Sequence, residues 1–323
     1  MSTICILGDV NADLTTKLAA YPQEGDDSEI LDIRWCSGGG AANSATAFGL
    51  LGEAVRLLAC VGNDPAAAIA LQAATQAGVQ LDAIQKHPSV ATGVCIVSVS
   101  PSGQRTFSSF RGANVELDGS NWGVECFGGA RHFHLSAYAL LSGKQQATAL
   151  HCIQLARQHQ IPVSIDLCTL CVRHQADLVR QLLPSFALVF MNEQELALLH
   201  PDLPQHAALT ELINAGAGCV VLKRGSEGCT VVTAKQYLEL NGLAVSAIDT
   251  NGCGDAFVAG FLYARLHGQA LLSQAAMGNL LGALTATRVG AADALPSKHE
   301  LAAAYARSTD WVGHAALTDL FKV

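Results

Sequence analysis

Asp249-Thr250-Asn251-Gly252-Cys253-Gly254-Asp255 follows the apolar run Gly242-Leu243-Ala244-Val245-Ser246-Ala247-Ile248 and opens into Ala256-Phe257-Val258-Ala259-Gly260-Phe261-Leu262-Tyr263. Two glycines and a carboxylate therefore stand where a strand or loop turns into a helix. The first amides of a helix have no partner within it, and the helix dipole adds positive potential, so such a junction attracts anions. An aspartate placed there can take a proton from a nucleophile while the amides hold a phosphoryl group. The same letters also make good turn chemistry, and glycines before a helix often serve the backbone alone. The decision between the two rests on the rest of the chain.

The chain has 323 residues, half of them hydrophobic and only 14% charged, which is enough for a large core. Short β-like runs alternate with alanine-rich helical segments. Strands are expected at Thr3–Leu7, Val55–Cys60, His132–Leu135, Val163–Asp166, Leu188–Met191 and Cys219–Leu222. Helices are expected at Ala41–Leu51, at Pro65–Ala77 with Asp64 as cap, and at Lys144–His159. Such alternation predicts an α/β fold: a mostly parallel sheet covered by helices on both faces. Two sections break the rhythm. Asp13–Leu18 with Glu29–Trp35, and Gly93–Ser100 with Arg105–Arg111, look like paired strands, the latter joined by the turn Pro101-Ser102-Gly103. They predict a small sheet inserted at about 12–35 and 91–112 of a single domain spanning 1–323.

Composition also excludes. A net charge of −8 with no basic run argues against sequence-independent nucleic-acid binding. No stretch is apolar for about 18 residues, so no membrane span is expected. The start, Met1 to Asp9, has no basic n-region and meets an acid too early for a leader peptide, which predicts a cytoplasmic protein. The eleven cysteines are scattered; the lone CxxC, Cys168-Thr169-Leu170-Cys171, reads as free thiols before a redox pair. His132 and His134 share a strand face and read as core residues before sugar ligands. No Gly-x-x-x-x-Gly-Lys-Ser/Thr occurs, so a P-loop is excluded.

A second glycine run, Ser37-Gly38-Gly39-Gly40-Ala41-Ala42-Asn43, starts a helix. Its glycines allow close backbone approach to a ligand, and Asn43 both donates and accepts, as sugar hydroxyls require. A dinucleotide loop is the competing reading, weakened because Asn43 replaces its third glycine. Gly8-Asp9-Val10-Asn11-Ala12-Asp13 ends the first strand, where ligands bind in α/β sheets; an Asx turn is the alternative for Asn11 and Asp13. Asn192 and Glu195 follow an apolar strand but would look the same as a plain helix cap. Lys223-Arg224-Gly225-Ser226-Glu227-Gly228 follows another strand and could be a hairpin turn. Arg111 and Arg173 read by default as surface arginines.

The heptapeptide resembles the second signature of the PfkB (ribokinase-like) family of carbohydrate kinases, differing at Cys253 where alanine is usual. The Gly38–Asn43 run resembles that family's first signature. The resemblance implies a three-layer α/β/α sandwich whose small sheet is a lid that mediates dimerisation. It further implies ATP-dependent phosphorylation of a primary hydroxyl on a sugar or sugar-like substrate. Asp255 would be the general base, with the amides of Gly252, Cys253 and Gly254 as the anion hole. Asn11, Asp13, Gly38, Gly39, Gly40 and Asn43 would bind the sugar, joined by Arg111 and, on the loose match of the Asp166–Arg173 spacing, by Arg173 if the sugar is acidic, as in ketodeoxygluconate kinases. Asn192, Glu195, Lys223, Gly225, Gly228, Thr250 and Asn279 would form the nucleotide half. Gly278-Asn279 and Thr287–Ala291 would flank a helix walling the adenine. Mg²⁺ would sit near Glu195 through phosphates and water, and a monovalent cation such as K⁺ near Asp249 and the Arg288–Asp293 loop. Ser136-Ala137-Tyr138 stands where ribokinases carry a glutamate, which leaves ribose in doubt. A nucleoside kinase shares every motif, and a sugar-binding regulator without catalysis is the reading from another class. A thiol at a helix N-terminus is expected to have a lowered pKa, which makes Cys253 a target for alkylation.

Overall fold

The computed structural model describes residues 3–321; Met1 and Ser2, where the leader reading begins, lie outside them, as do Lys322 and Val323. The chain opens with β1 (Ile4–Leu7), β2 (Asn11–Leu18) and β3 (Ile30–Gly38), followed by α1 (Gly40–Leu50), β4 (Val55–Gly62) and α2 (Pro65–Gln76). Next come β5 (Ile84–His87), β6 (Gly93–Val99), β7 (Arg105–Phe110), β8 (Phe133–Ser136) and α3 (Gly143–Gln158). β9 (Val163–Asp166), α4 (Thr169–Leu182), β10 (Leu188–Asn192), α5 (Glu193–Leu199), α6 (Gln205–Asn214) and β11 (Cys219–Lys223) continue the alternation. The hairpin strands β12 (Cys229–Thr233) and β13 (Tyr237–Leu240) precede α7 (Cys253–Leu266), α8 (Leu271–Ala286) and α9 (Lys298–Arg307).

The large sheet runs β13-β12-β11-β10-β9-β8-β1-β4-β5. It is parallel from β5 to β11, and antiparallel through β12 and β13. Its central strands are apolar on both faces because each face is covered. Ile4, Ile6, Leu188 and Phe190 enter a core shared with α1, α2, α7 and α8. Cys5, Leu7, Val189 and Met191 enter another, shared with α3 to α6. Phe48, Phe190 and Phe261 are fully buried; truncating any one to alanine costs about 3–5 kcal/mol.

Small residues decide how closely the helices approach. α1 buries Ala41, Ala42, Ser44, Ala45 and Ala47 in its contact zone, beside α7. Where α7 crosses α8, a Cβ on Gly260 would lie 2.6 Å from the Met277 carbonyl, and one on Gly278 would lie 2.9 Å from the Phe257 ring. Gly278 and Asn279 thus lie inside α8, not ahead of it as the sequence suggested, and the glycine serves helix packing.

The second sheet has the order β3-β2-β6-β7. β2 and β3 are antiparallel, as are β6 and β7, whereas β2 and β6 pair in parallel, with the intervening α/β units making the return. Asp13 pairs with Cys36 and Cys95, while Leu14 pairs with Trp35 and Ile96. Alternation therefore puts Asp13 on one face and Ile33, Trp35, Ile96 and Phe110 on the other. The β6–β7 turn uses Gly103 at φ 82°, as the Pro101-Ser102-Gly103 signal predicted. Strands β5, β12 and β13 are not among those expected from the sequence; they are short, and β5 and β13 form the two edges of the large sheet. The loop after Lys223 is the hairpin turn that was one of its two readings, with Gly225 and Gly228 both at positive φ.

Candidate active site

Asp9, Ser136, Asp166, Asn192 and Lys223 stand at or just beyond the carboxyl ends of β1, β8, β9, β10 and β11, along one edge of the large sheet. The heptapeptide meets this edge. Gly252, in the left-handed region at φ 72°, caps α7, and Asp255 falls in its first turn. The Cys253 amide turns back to the Thr250 carbonyl at 3.3 Å, leaving the amides of Gly252 and Gly254 without an acceptor among the described residues. A Cβ on Gly254 would meet only Lys223 Nζ, 3.4 Å away, so an ammonium borders the same amides.

Asp255 is the centre of the arrangement. Its Oδ2 accepts from Asn43 Nδ2 at 2.7 Å across the α1–α7 contact. Burial, then the nearby Asp166 charge, pushes its carboxyl up to about 7; the Asn43 hydrogen bond and Lys223 oppose the rise. The carboxylate is thus a far better proton acceptor than an ordinary aspartate. Asn43 has a role the sequence did not reveal. Its amide holds the base, and its buried Oδ1 has no partner.

Asp13 lies close enough that burial, followed by the Asp255 charge, raises it to about 7 as well. Its Oδ1 is also buried and unpartnered. The glycine run keeps this space open. A Cβ on Gly38 would collide with the Asp13 carboxylate, one on Gly39 (φ 92°) with the Asp9 carbonyl, and one on Gly40 would lie 3.3 Å from Asp255 Oδ1. Buried polar atoms are normally satisfied, so orphaned acceptors around a glycine-lined space point to a polyhydroxyl ligand. Tyr138 faces the same charges; burial first, then Cys168, Asp255 and Asp9, raises its phenol.

Arg111 is not the surface arginine of its default reading. Its Nε and Nη2 form a fork on Asp9 at 3.0 and 2.9 Å, and Nη2 also donates to Gln145 Oε1. Gln145 Nε2 donates to Asp9 Oδ1 at 2.9 Å. Only Nη1, buried and unpartnered, remains for a ligand. Asn11 Oδ1 accepts from Asn114 Nδ2 at 2.9 Å, and Asn114 also clamps both backbone groups of Val10. Gln145 and Asn114 carry no motif and escaped the sequence reading. Arg173 is exposed on α4, away from these groups.

Of the residues expected to form the nucleotide half, Asn192 and Glu195 form a reciprocal capping box on α5. Burial, then Asp166, pushes Glu195 up to about 7 despite Lys223 and the Asn192 hydrogen bonds. Lys223 Nζ donates to Asp166 Oδ1 at 2.5 Å. Burial alone would pull the lysine down, but Asp166 and Glu195 hold it above its ordinary value. Two crowded carboxylates against one ammonium leave negative charge that a hydrated divalent cation would relieve. Among the described residues, no three metal-ligating side chains converge. Asn279 Nδ2 donates to the carbonyls of Leu240 and Asn241 at 3.3 Å each, and Trp311 Nε1 pins the latter at 2.9 Å. Asn279 therefore holds a loop.

One expectation needs correction, and three others can be set against the geometry. Burial, then Asp249 and Asp255, drives the Cys253 thiol up to about 12, outweighing Arg105 and the helix end. Asp249, near which a monovalent cation was expected, has a partner from the chain on each carboxylate oxygen: the Asn251 amide and Arg105 on Oδ1, the Gly290 amide on Oδ2. Cys168 and Cys171 are buried free thiols, the latter pushed up to about 12 by burial and then Glu195, which does not suit redox exchange. His132 Nε2 and His134 Nδ1 each lie 2.8 Å from Ser164 Oγ and are driven down to about 3 by burial, as core histidines.

The chain is 28% identical over 295 residues to an ATP-dependent ribose-1-phosphate kinase of Halopiger xanaduensis, covering 91% of this chain and 95% of that one. It is 27% identical over 330 residues to a ribokinase of Schizosaccharomyces pombe, covering 93% and 97%. A putative ribokinase II of Escherichia coli, solved with ATP and Mg²⁺, superimposes with a TM-score of 0.83 at 22% identity, covering 95% of this chain and all of that one. A model described as "pfkB family carbohydrate kinase" matches residues 1–298, and the chain belongs to that family.

Proposed function

We propose that the protein transfers the γ-phosphoryl group of ATP to a primary hydroxyl of a sugar or sugar-derived substrate. The observation that carries this reading is Asp255, a buried carboxylate pushed up to about 7, beside free helix N-terminal amides and an unfilled polar space. The acceptor hydroxyl gives its proton to Asp255 as its oxygen bonds phosphorus; the bond to the β,γ-bridging oxygen breaks and ADP leaves. The amides of Gly252 and Gly254, with Lys223, stabilise charge on the group in transit. Asp13 Oδ1, Asn43 Oδ1 and Arg111 Nη1 receive sugar hydroxyls or, at the arginine, an acidic group. Asn11 and the Gly38–Gly40 run shape that pocket. Asn192, Glu195, Gly225, Gly228, Thr250 and Asn279 frame the nucleotide. Mg²⁺, near Asp166 and Glu195, would supply charge neutralisation of the phosphates.

In this reading the β3-β2-β6-β7 sheet is a lid on one kinase domain, and its outer face joins a second copy. Ile33, Trp35, Ile96 and Phe110 are 40–56% exposed on that face, an apolar cluster suited to a dimer. Eleven free cysteines suit a reducing, cytoplasmic setting; among the described residues no helix is long and apolar enough to cross a membrane. ADP release across a panel of pentoses, hexoses, sugar acids and nucleosides tests the activity. Asp255→Asn should cut kcat about 10³-fold with sugar affinity largely kept. Turnover near wild type in that variant, or no turnover on any acceptor, would sink the reading.

A further inference from the structure

Arg105 opens β7 at the tip of the small sheet, and register puts it on the same face as Asp13. Its guanidinium reaches the loop that feeds α7. Nη2 lies 3.0 Å from Asp249 Oδ1 and 3.5 Å from the Ile248 carbonyl, and Nη1 lies 3.5 Å from Thr250 Oγ1. Asp249 is only 4% exposed. Its remaining partners are the amides of Asn251 (2.8 Å) and Gly290 (3.0 Å), so the 288–293 loop closes on it directly. Both oxygens of this carboxylate are thus engaged by the chain itself, and its charge is paired with Arg105. A monovalent ion seated beside Oδ1 would meet the like charge of this guanidinium. The planar fork of an arginine also spans three acceptors at once.

We propose that Arg105 is a positioning residue that takes the place of a monovalent cation. It neutralises Asp249 and fixes residues 248–250, and through them the turn that aims the Gly252 and Gly254 amides. The anion hole is then complete only while the sheet tip is seated on that loop. This inference rests on the kinase reading for its kinetic arm, but not for its thermal arm.

The experiment compares K⁺, Na⁺ and tetramethylammonium chlorides at matched ionic strength. Wild-type kcat should vary less than about twofold across the three. Arg105→Ala should lose about 10–100-fold in kcat with sugar KM nearly unchanged; K⁺ but not tetramethylammonium should restore part of it, and Arg105→Lys should retain more. Stimulation of the wild type by K⁺ beyond about fivefold would overturn the proposal, as would a wild-type kcat in Arg105→Ala or a loss that K⁺ does not relieve. Melting temperatures decide independently of turnover. The wild type should melt alike in all three salts, while Arg105→Ala gains stability in K⁺. A K⁺-specific rise in wild-type Tm overturns the idea even if no sugar is phosphorylated, and should Arg105→Ala not fold, the wild-type series and Arg105→Lys carry the test.

Discussion

The proposed sugar side and the proposed nucleotide side of the site are finished to different degrees. Around Asp13, Asn43 and Arg111, three buried polar atoms have no partner. Across the cleft, Asn192 and Glu195 cap each other's helix turn, Lys223 is paired with Asp166, and Asn279 is tied to two carbonyls. In the proposed kinase, side chains on the sugar side remain for a ligand, while those across from them, Lys223 apart, hold the frame and leave main-chain amides for phosphates. The acceptor would then be read by groups that substitution can change one at a time, and the donor largely by the backbone. Such a division lets one scaffold serve many acceptors.

Three measurements break or sharpen this contrast. Asp13→Ala should raise the sugar KM about 100-fold and leave the ATP KM within about twofold, because an orphaned buried acceptor is lost on one side only. Equal effects on both substrates would erase the distinction between the two sides. The pH profile comes next. Asp255 must be ionised to accept a proton, and its folded pKa is raised from 3.8 to about 7. Activity should accordingly be full above that value and fall about tenfold per unit below it, more steeply where Asp13, also raised to about 7, titrates with it. The sign for stability is opposite. A buried carboxylate with a raised pKa favours the fold at low pH, and that contribution is lost as pH rises from about 4 through about 7. Asp255→Asn should thus be more stable than wild type at pH 8, by a margin that closes at pH 4, as read by urea denaturation. The smallest effect concerns Cys253. With its thiol pushed up to about 12, brief treatment with iodoacetamide at neutral pH should change kcat by less than about twofold; rapid inactivation protected by ATP would restore the reactive-thiol view.

What the sequence discloses follows from what is local. The heptapeptide and the Gly38–Asn43 run are legible because backbone demands fix glycines and a carboxylate at set spacings. The small sheet is legible because alternation and one Pro-Ser-Gly turn interrupt a helical rhythm. The Asp9–Arg111–Gln145 cluster is not, since Asp9 and Gln145 are 136 positions apart and share no motif. The direction for Cys253 came out reversed because a helix end is visible in sequence, whereas burial beside Asp249 and Asp255 is not. Asn43 was placed in the right site with only half its role, because its bond to Asp255 exists only once α1 meets α7.

Arg105 and Arg111 belong to one short stretch of chain, six positions apart, and they anchor opposite ends of it. Arg111 is clamped by a two-pronged, buried bond; Arg105 holds by one close contact and two long ones. In extended chain that separation is about 20 Å. Six consecutive pairs with β6 stiffen the stretch between them, so a ligand that takes the last free nitrogen of Arg111 would act on a rod already tied at its other end to Asp249.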